Sequence, residues 1–166
     1  EETQVIGLPE NARLTNISWS PNEKIISFTN TTNSGAELWI IDVATATAKK
    51  LTSDNLNANL GNPYSWMKDN QTLLVKFLPK NRPSLINEKL DLPKGPTISV
   101  SEGSKSQNRT YQDLLKNRHD ETLFEYYTIS ELVKVDLETS EVQPFGKTGI
   151  VKGMSTSPDG NYVLVY

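Results

Sequence analysis

The chain holds a single histidine, His119, and no cysteine. A serine hydrolase needs a nucleophile on a strained turn, a histidine base and an acid that orients it. No Gly-x-Ser-x-Gly occurs, and His119 lies in a stretch that reads as helical, where a lone histidine is solvated or structural. The missing cysteines exclude disulfides, thiolate catalysis and cysteine-based zinc sites. There is no Gly-rich phosphate loop and no metal-ligand cluster, so no cofactor and no metal are expected. Asp42 and Asp136 recur in similar surroundings, each closing an apolar run and opening a polar turn. That is a structural repeat, not a pair of carboxylates arranged for acid–base work. No catalytic residue is expected in this stretch.

These residues sit in a chain of 166 residues, which suits one domain. Its net charge is -3 and its 17 basic residues are scattered, which argues against a nucleic-acid partner. No run of about 18 apolar residues exists, so no membrane span is expected. The opening Glu1-Glu2-Thr3 reads as a mature or trimmed start, and the strand-like Asn161 to Tyr166 reads as a fragment's end. Sequons at Asn16, Asn30, Asn70 and Asn108 matter only in a glycosylating host.

Internal repetition organises the chain. Ile17-Ser18-Trp19-Ser20-Pro21-Asn22 leading into Ile25-Ile26-Ser27-Phe28 is matched by Tyr64-Ser65-Trp66 leading into Leu73-Leu74-Val75. It is matched again by Ser155-Thr156-Ser157-Pro158-Asp159-Gly160 leading into Tyr162-Val163-Leu164-Val165. Each is a short apolar stretch, a polar turn and an apolar strand, with turn residues fit for a tight reversal. A second unit, Glu37-Leu38-Trp39-Ile40-Ile41-Asp42, returns as Glu131-Leu132-Val133-Lys134-Val135-Asp136. Each is followed by a short last strand, Lys49 to Leu51 and Val142 to Phe145. One repeat is therefore four antiparallel strands. The interval from Trp19 to Trp66 matches the ~40–50 residues of a propeller blade. The next interval is about one blade too long, with the excess between Leu78 and Glu131.

The expected fold is all-β with a small helical insertion: a partial β-propeller of about two four-stranded blades plus the start of a third. The blades run about 12–53 and about 60–147, the second carrying an insertion at about 79–128, and the next starts at about 150–166. Stacked blades bury both faces of each sheet, so central strands such as Leu38-Trp39-Ile40-Ile41 and Leu73-Leu74-Val75 are expected to be covered on both sides. The three tryptophans are read as inter-blade packing. The insertion begins Pro-rich and irregular, then turns helical at about 110–128. Thr110 with Asp113 is read as a weak capping box and Asp120 as a second cap. Leu123, Phe124 and Tyr127 share a helical face that docks either on its own blade or on another domain.

The insertion carries a specific resemblance. Pro93-Lys94-Gly95-Pro96, Arg109-Thr110-Tyr111-Gln112-Asp113-Leu114-Leu115-Lys116, Leu123-Phe124-Glu125-Tyr126-Tyr127 and Ser130-Glu131-Leu132 resemble the glutamyl endopeptidase branch of the prolyl oligopeptidase (S9) family. The resemblance implies an N-terminal propeller and, outside this stretch, a C-terminal α/β-hydrolase domain of the same chain with a serine triad. Such a serine peptidase would cleave peptide substrates after acidic residues, with the propeller gating access. Arg109, within the matching motif, is the substrate-contact candidate, because an acidic side chain calls for a cation. Bacterial relatives imply export to the periplasm, plant ones the chloroplast. The alternative is a stand-alone propeller-type scaffold that binds proteins or ligands, since fold alone does not give function. Two blades leave apolar faces and a strand edge bare, so the isolated stretch is expected to self-associate.

Overall fold

The computed structural model describes residues 2–82, 103, 115 and 118–166. Eleven strands and one helix are defined there, and the strands form antiparallel meanders. Strands β1 (Leu14–Trp19), β2 (Ile25–Thr31), β3 (Ala36–Asp42) and β4 (Thr47–Lys50) make the first sheet, in the order of the chain. Strands β5 (Tyr64–Trp66), β6 (Thr72–Phe77), β7 (Ile129–Asp136) and β8 (Val142–Pro144) repeat it. Helix α1 (Arg118–Thr128) runs straight into β7, so the insertion sits between the second and third strands of the second sheet. The short β9 (Gly149–Ile150) pairs with the start of β7, and β10 (Met154–Thr156) with β11 (Val163–Val165) forms a third hairpin.

The repetition extends to single hydrogen bonds. Asp42 Oδ1 accepts from Thr45 N and Thr45 Oγ1, both at 2.8 Å, and Asp136 Oδ1 accepts from Thr139 N and Thr139 Oγ1, both at 2.8 Å. These bonds hold both carboxyls below the ordinary aspartate range. At the first turn of each sheet, Asn22, Asp69 and Asp159 accept from backbone N–H groups two residues on, at 3.2, 3.0 and 3.1 Å. Such side-chain turns are why Asn and Asp occupy these sites. The residue that follows has positive φ in all three: Glu23 at 59°, Asn70 at 61° and Gly160 at 78°.

The core lies between the first two sheets, where Leu38 and Ile40 of β3 meet Tyr64, Leu73, Val75 and Val133. Leu73, Leu74 and Val75 are at most 1% exposed, so β6 is covered on both faces, as expected. Burying each such side chain contributes about 1.5–3 kcal/mol. Strand β3 departs from that expectation. Leu38 and Ile40 are buried, but Trp39 and Ile41 are only half-covered, because their face points away from the second sheet. On that face Phe28 stacks on Trp39 at 6.3 Å, and Glu37 accepts from Trp39 Nε1 at 2.8 Å, Asn30 Nδ2 at 3.2 Å and Lys50 Nζ at 3.2 Å. Burial alone would raise the Glu37 carboxyl, but the three donors outweigh it and hold it below the usual value.

The tryptophans divide. Trp66 packs at the seam and donates from Nε1 to Ser27 Oγ at 2.9 Å, joining the sheets. Trp19, at the same position in the first sheet, is 54% exposed, with no sheet packed against it among the described residues. Helix α1 places Asp120 inside its first turn rather than ahead of it, so Asp120 is not the cap. A carboxylate there still meets the positive end of the helix dipole. Phe124 and Tyr127 are exposed and Thr128 is the helix's buried residue. Its end is tied down by Arg82, whose guanidinium lies 4.0 Å from the centre of the Tyr126 ring, and by Asn59 Nδ2, 2.9 Å from Tyr127 O. The Thr110 capping box with Asp113 lies outside the described residues.

Candidate functional site along the inner strands

The first strands of the three repeats, β1, β5 and β10, share one edge of the stacked sheets. Between them lies a groove of about 510 Å³. Strand β1 contributes Ile17 and Trp19, and β5 contributes Tyr64 and Trp66. The blade-to-blade linker brings Asn62, and the third repeat brings Lys152 and Tyr166. Among the described residues neither β1 nor β5 pairs with a strand on its groove side, so both present an unpaired edge to it. Local sequence explains the walls. Asn16 adopts φ 51° where the β1–β2 register shifts between Thr15 and Ser18, and the bulge brings Asn16 and Ile17 both to the groove.

The walls are held from behind. The Tyr64 hydroxyl donates to Asn16 O, and burial of the phenol pushes its pKa up to about 12. Below the third repeat, Lys76 of β6 is 1% exposed. Its ammonium donates to Leu60 O and, at 3.2 Å, to Val151 O. Burial without a carboxylate pulls its pKa down to about 8. Beside it the buried Asn57 donates from Nδ2 to Ile129 O at 2.8 Å and from its backbone N to Lys76 O at 2.8 Å. One lysine and one asparagine therefore fasten both linkers, 51–63 and 145–153, to the second sheet.

Arg109, the substrate-contact candidate, lies outside the described residues. His119 is half-buried on α1 and is not among the residues that line the groove. Asp42 and Asp136 are bound up in their turns. Among the described residues no three His, Asp or Glu side chains gather as a metal ion would require, and no helix is long and apolar enough to cross a membrane. Sequence reasoning missed Lys76, although a lysine inside Leu-Leu-Val-Lys-Phe was a signal, since a solvated lysine has no place in a strand covered on both faces.

No protein-family model matches the chain. Relatives do. The chain is 34% identical over 174 residues to a probable chloroplastic glutamyl endopeptidase of Oryza sativa subsp. japonica, across 99% of its own length. It is 33% identical over 173 residues to the protein of the same name from Arabidopsis thaliana. Over nearly its whole length the chain is thus similar to glutamyl endopeptidases. It spans 18% of the length of these two relatives. Among solved structures it is similar to acylaminoacyl peptidase of Pyrococcus horikoshii, at a TM-score of 0.51 and 18% identity, over 92% of this chain and 20% of that one. It is equally similar to TolB of Acinetobacter baumannii, at 0.51 and 16% identity, over 94% of this chain and 27% of that one. Both likenesses concern the fold, which is that of β-propeller blades. In this chain the meanders are consecutive blades, β1–β4 and β5–β8, with β10–β11 opening the next. The groove runs along the blades' inner strands.

Proposed function

We propose that this chain is a non-catalytic propeller portion of a larger serine peptidase, that the whole protein cleaves peptides after acidic residues, and that the propeller restricts which substrates reach a hydrolase domain elsewhere in the same chain. The observation that carries this is the identity of about one third with glutamyl endopeptidases across 99% of the chain, insertion included. The stretch itself has no Gly-x-Ser-x-Gly. The substrate, in this reading, is a peptide with an acidic side chain, and Arg109 is the residue of the matching motif that would face it. The plant relatives are named chloroplastic. In this reading a plant owner would keep the protein in the chloroplast.

The second reading is a stand-alone binding scaffold, since the blades fit TolB as well as they fit a peptidase and fold alone does not choose between functions. Sequence identity separates the two, since it is about twice as high toward the endopeptidases. The test is a peptidase assay on the full-length protein, beside residues 1–166 alone, with a chromogenic peptide bearing Glu at the cleavage position. Cleavage by the full-length protein that a serine-directed inactivator abolishes, with none by the shorter chain, is the expected result. A full-length protein without such activity overturns the reading in favour of the scaffold. In the same assay Arg109→Ala is expected to lower kcat/KM for Glu-containing peptides, and an unchanged value removes Arg109 from the site.

A further inference from the structure

The charged side chain lining the groove among the described residues is a cation. Among the described residues that line it, Lys152 is the basic one and no side chain is a carboxylate. Lys152 is exposed, and the ion pair formed among the described residues is Lys50 with Glu37, so Lys152 stands there without an anionic partner. The chain as a whole carries a charge of -3, so the cation is a local feature and not part of a basic surface.

Its backbone is unusually constrained for an exposed lysine. The carbonyl before it, Val151 O, is held by the buried Lys76 ammonium at 3.2 Å. Its own N–H donates to Tyr166 O at 2.8 Å. Its carbonyl packs so closely on Gly61, at φ 62°, that a Cβ there would lie 2.0 Å from Lys152 O. Three elements therefore fix the backbone at the root of one side chain, so that only its own rotamers remain to be ordered when it takes up a partner. Around it stand the flat rings of Trp19, Trp66 and Tyr166, the Asn62 amide, and the unpaired edges of β1 and β5. Rings suit peptide side chains, while an amide and a strand edge suit peptide main chain. The groove's size, about 510 Å³, lies in the range of ligand sites.

We propose that the inner-strand groove binds an extended peptide segment and that Lys152 pairs with an acidic side chain of that segment. The peptide nature of the ligand rests on the peptidase reading above. The site itself is independent of Arg109 and of any catalytic step. In this arrangement the propeller selects acidic peptides by binding them.

The test is calorimetric titration of the full-length protein, treated with a serine-directed inactivator so that no peptide is consumed. The probes are short peptides blocked at both ends, one with a central Glu and one with Gln in its place, and the Gln peptide with a free C-terminus. The Glu peptide is expected to bind about fivefold more tightly than its Gln counterpart, as one partly solvated charge pair supports. Lys152→Gln is expected to erase that preference while leaving the blocked Gln peptide unaffected, and Lys152→Arg to restore most of it. An unchanged preference in Lys152→Gln, or an equal loss for both blocked peptides, overturns the proposal. A response confined to the free C-terminus overturns the assignment to an acidic side chain. A wild-type protein that cleaves nothing yet shows the Lys152-dependent preference keeps the groove and removes the peptidase reading.

Discussion

Lys76 Nζ lies 3.2 Å from the carbonyl oxygen of Val151, and this bond ties the linker before the third repeat to a strand in the middle of the second. Its acceptors are backbone carbonyls, Leu60 O being the other, so the ammonium is solvated by dipoles and not neutralised by a counter-charge. Hydrogen bonds of this kind offset part of the cost of burial, and the lowered pKa of about 8 records what they leave.

The sign of the resulting pH dependence follows from proton counting. Between about pH 8 and the ordinary value of 10.5 the unfolded chain holds a proton on Lys76 that the folded chain has released. Stability is therefore expected to rise as pH increases from 8 toward 10, by an amount on the order of 1–2 kcal/mol. Above pH 10 the trend reverses, because Tyr64 keeps its proton in the fold up to about 12 while the unfolded phenol has lost it. Chemical denaturation at pH 7.5, 8.5 and 9.5 measures this. Lys76→Met should flatten the rise, whatever its offset, and a rise that persists in the variant assigns it to another group.

The seam between the blades rests on a short relay. Trp66 Nε1 donates to Ser27 Oγ at 2.9 Å, and Ser27 Oγ donates to Ser18 O at 3.1 Å, with Ser27 fully buried. Ser27→Ala leaves the indole N–H without its acceptor and is expected to cost about 1–3 kcal/mol. In Trp66→Phe that loss should shrink to a few tenths, because no donor then remains to be orphaned. A double-mutant cycle by urea denaturation gives the coupling energy, and additive losses would show that the relay contributes nothing.

The three equivalent turns differ in how well their residues tolerate positive φ. Gly160 does so without strain, Asn70 does so readily, and Glu23 does not. Glu23→Gly is expected to stabilise by about 0.5 kcal/mol, the relief of strain exceeding the added freedom of the unfolded chain. Asn70→Gly should be near neutral. Gly160→Ala should destabilise by about 1 kcal/mol or more, since its Cβ would also meet Lys68 Cβ at 3.0 Å. Thermal melts of the three variants settle the order, and a Glu23→Gly that melts lower than wild type contradicts it.

The isolated stretch exposes Trp19 at 54%, Tyr162 at 73% and Leu164 at 64%, beside unpaired strand edges. Residues 1–166 expressed alone are expected to self-associate in a concentration-dependent way. Multi-angle light scattering between about 1 and 100 μM tests this. A monomeric mass throughout, with a cooperative melt, would show that the blade faces need no cover.

What the sequence by itself determined is local. Ser-Pro-Asp-Gly, the Asp-x-x-Thr turns and the apolar runs between them specify hairpins through contacts a few residues long, so the four-stranded repeat and its interruption were legible. The endopeptidase-like words of the insertion were legible as a pattern of residues. Tertiary structure decided the rest. Trp19 and Trp66 occupy the same place in their repeats and both line the groove, yet among the described residues only Trp66 bonds to a neighbouring sheet, through Ser27. Lys152 and Lys76 are both lysines of the second repeat and its exit linker, one exposed and one 1% exposed. The groove joins β1, β5 and the third repeat across most of the chain, and the packing that brings Gly61 under Lys152 O is written in no local pattern. Hairpins are chosen by neighbours in sequence, whereas burial and charge at the groove are chosen by which sheet lies across from which.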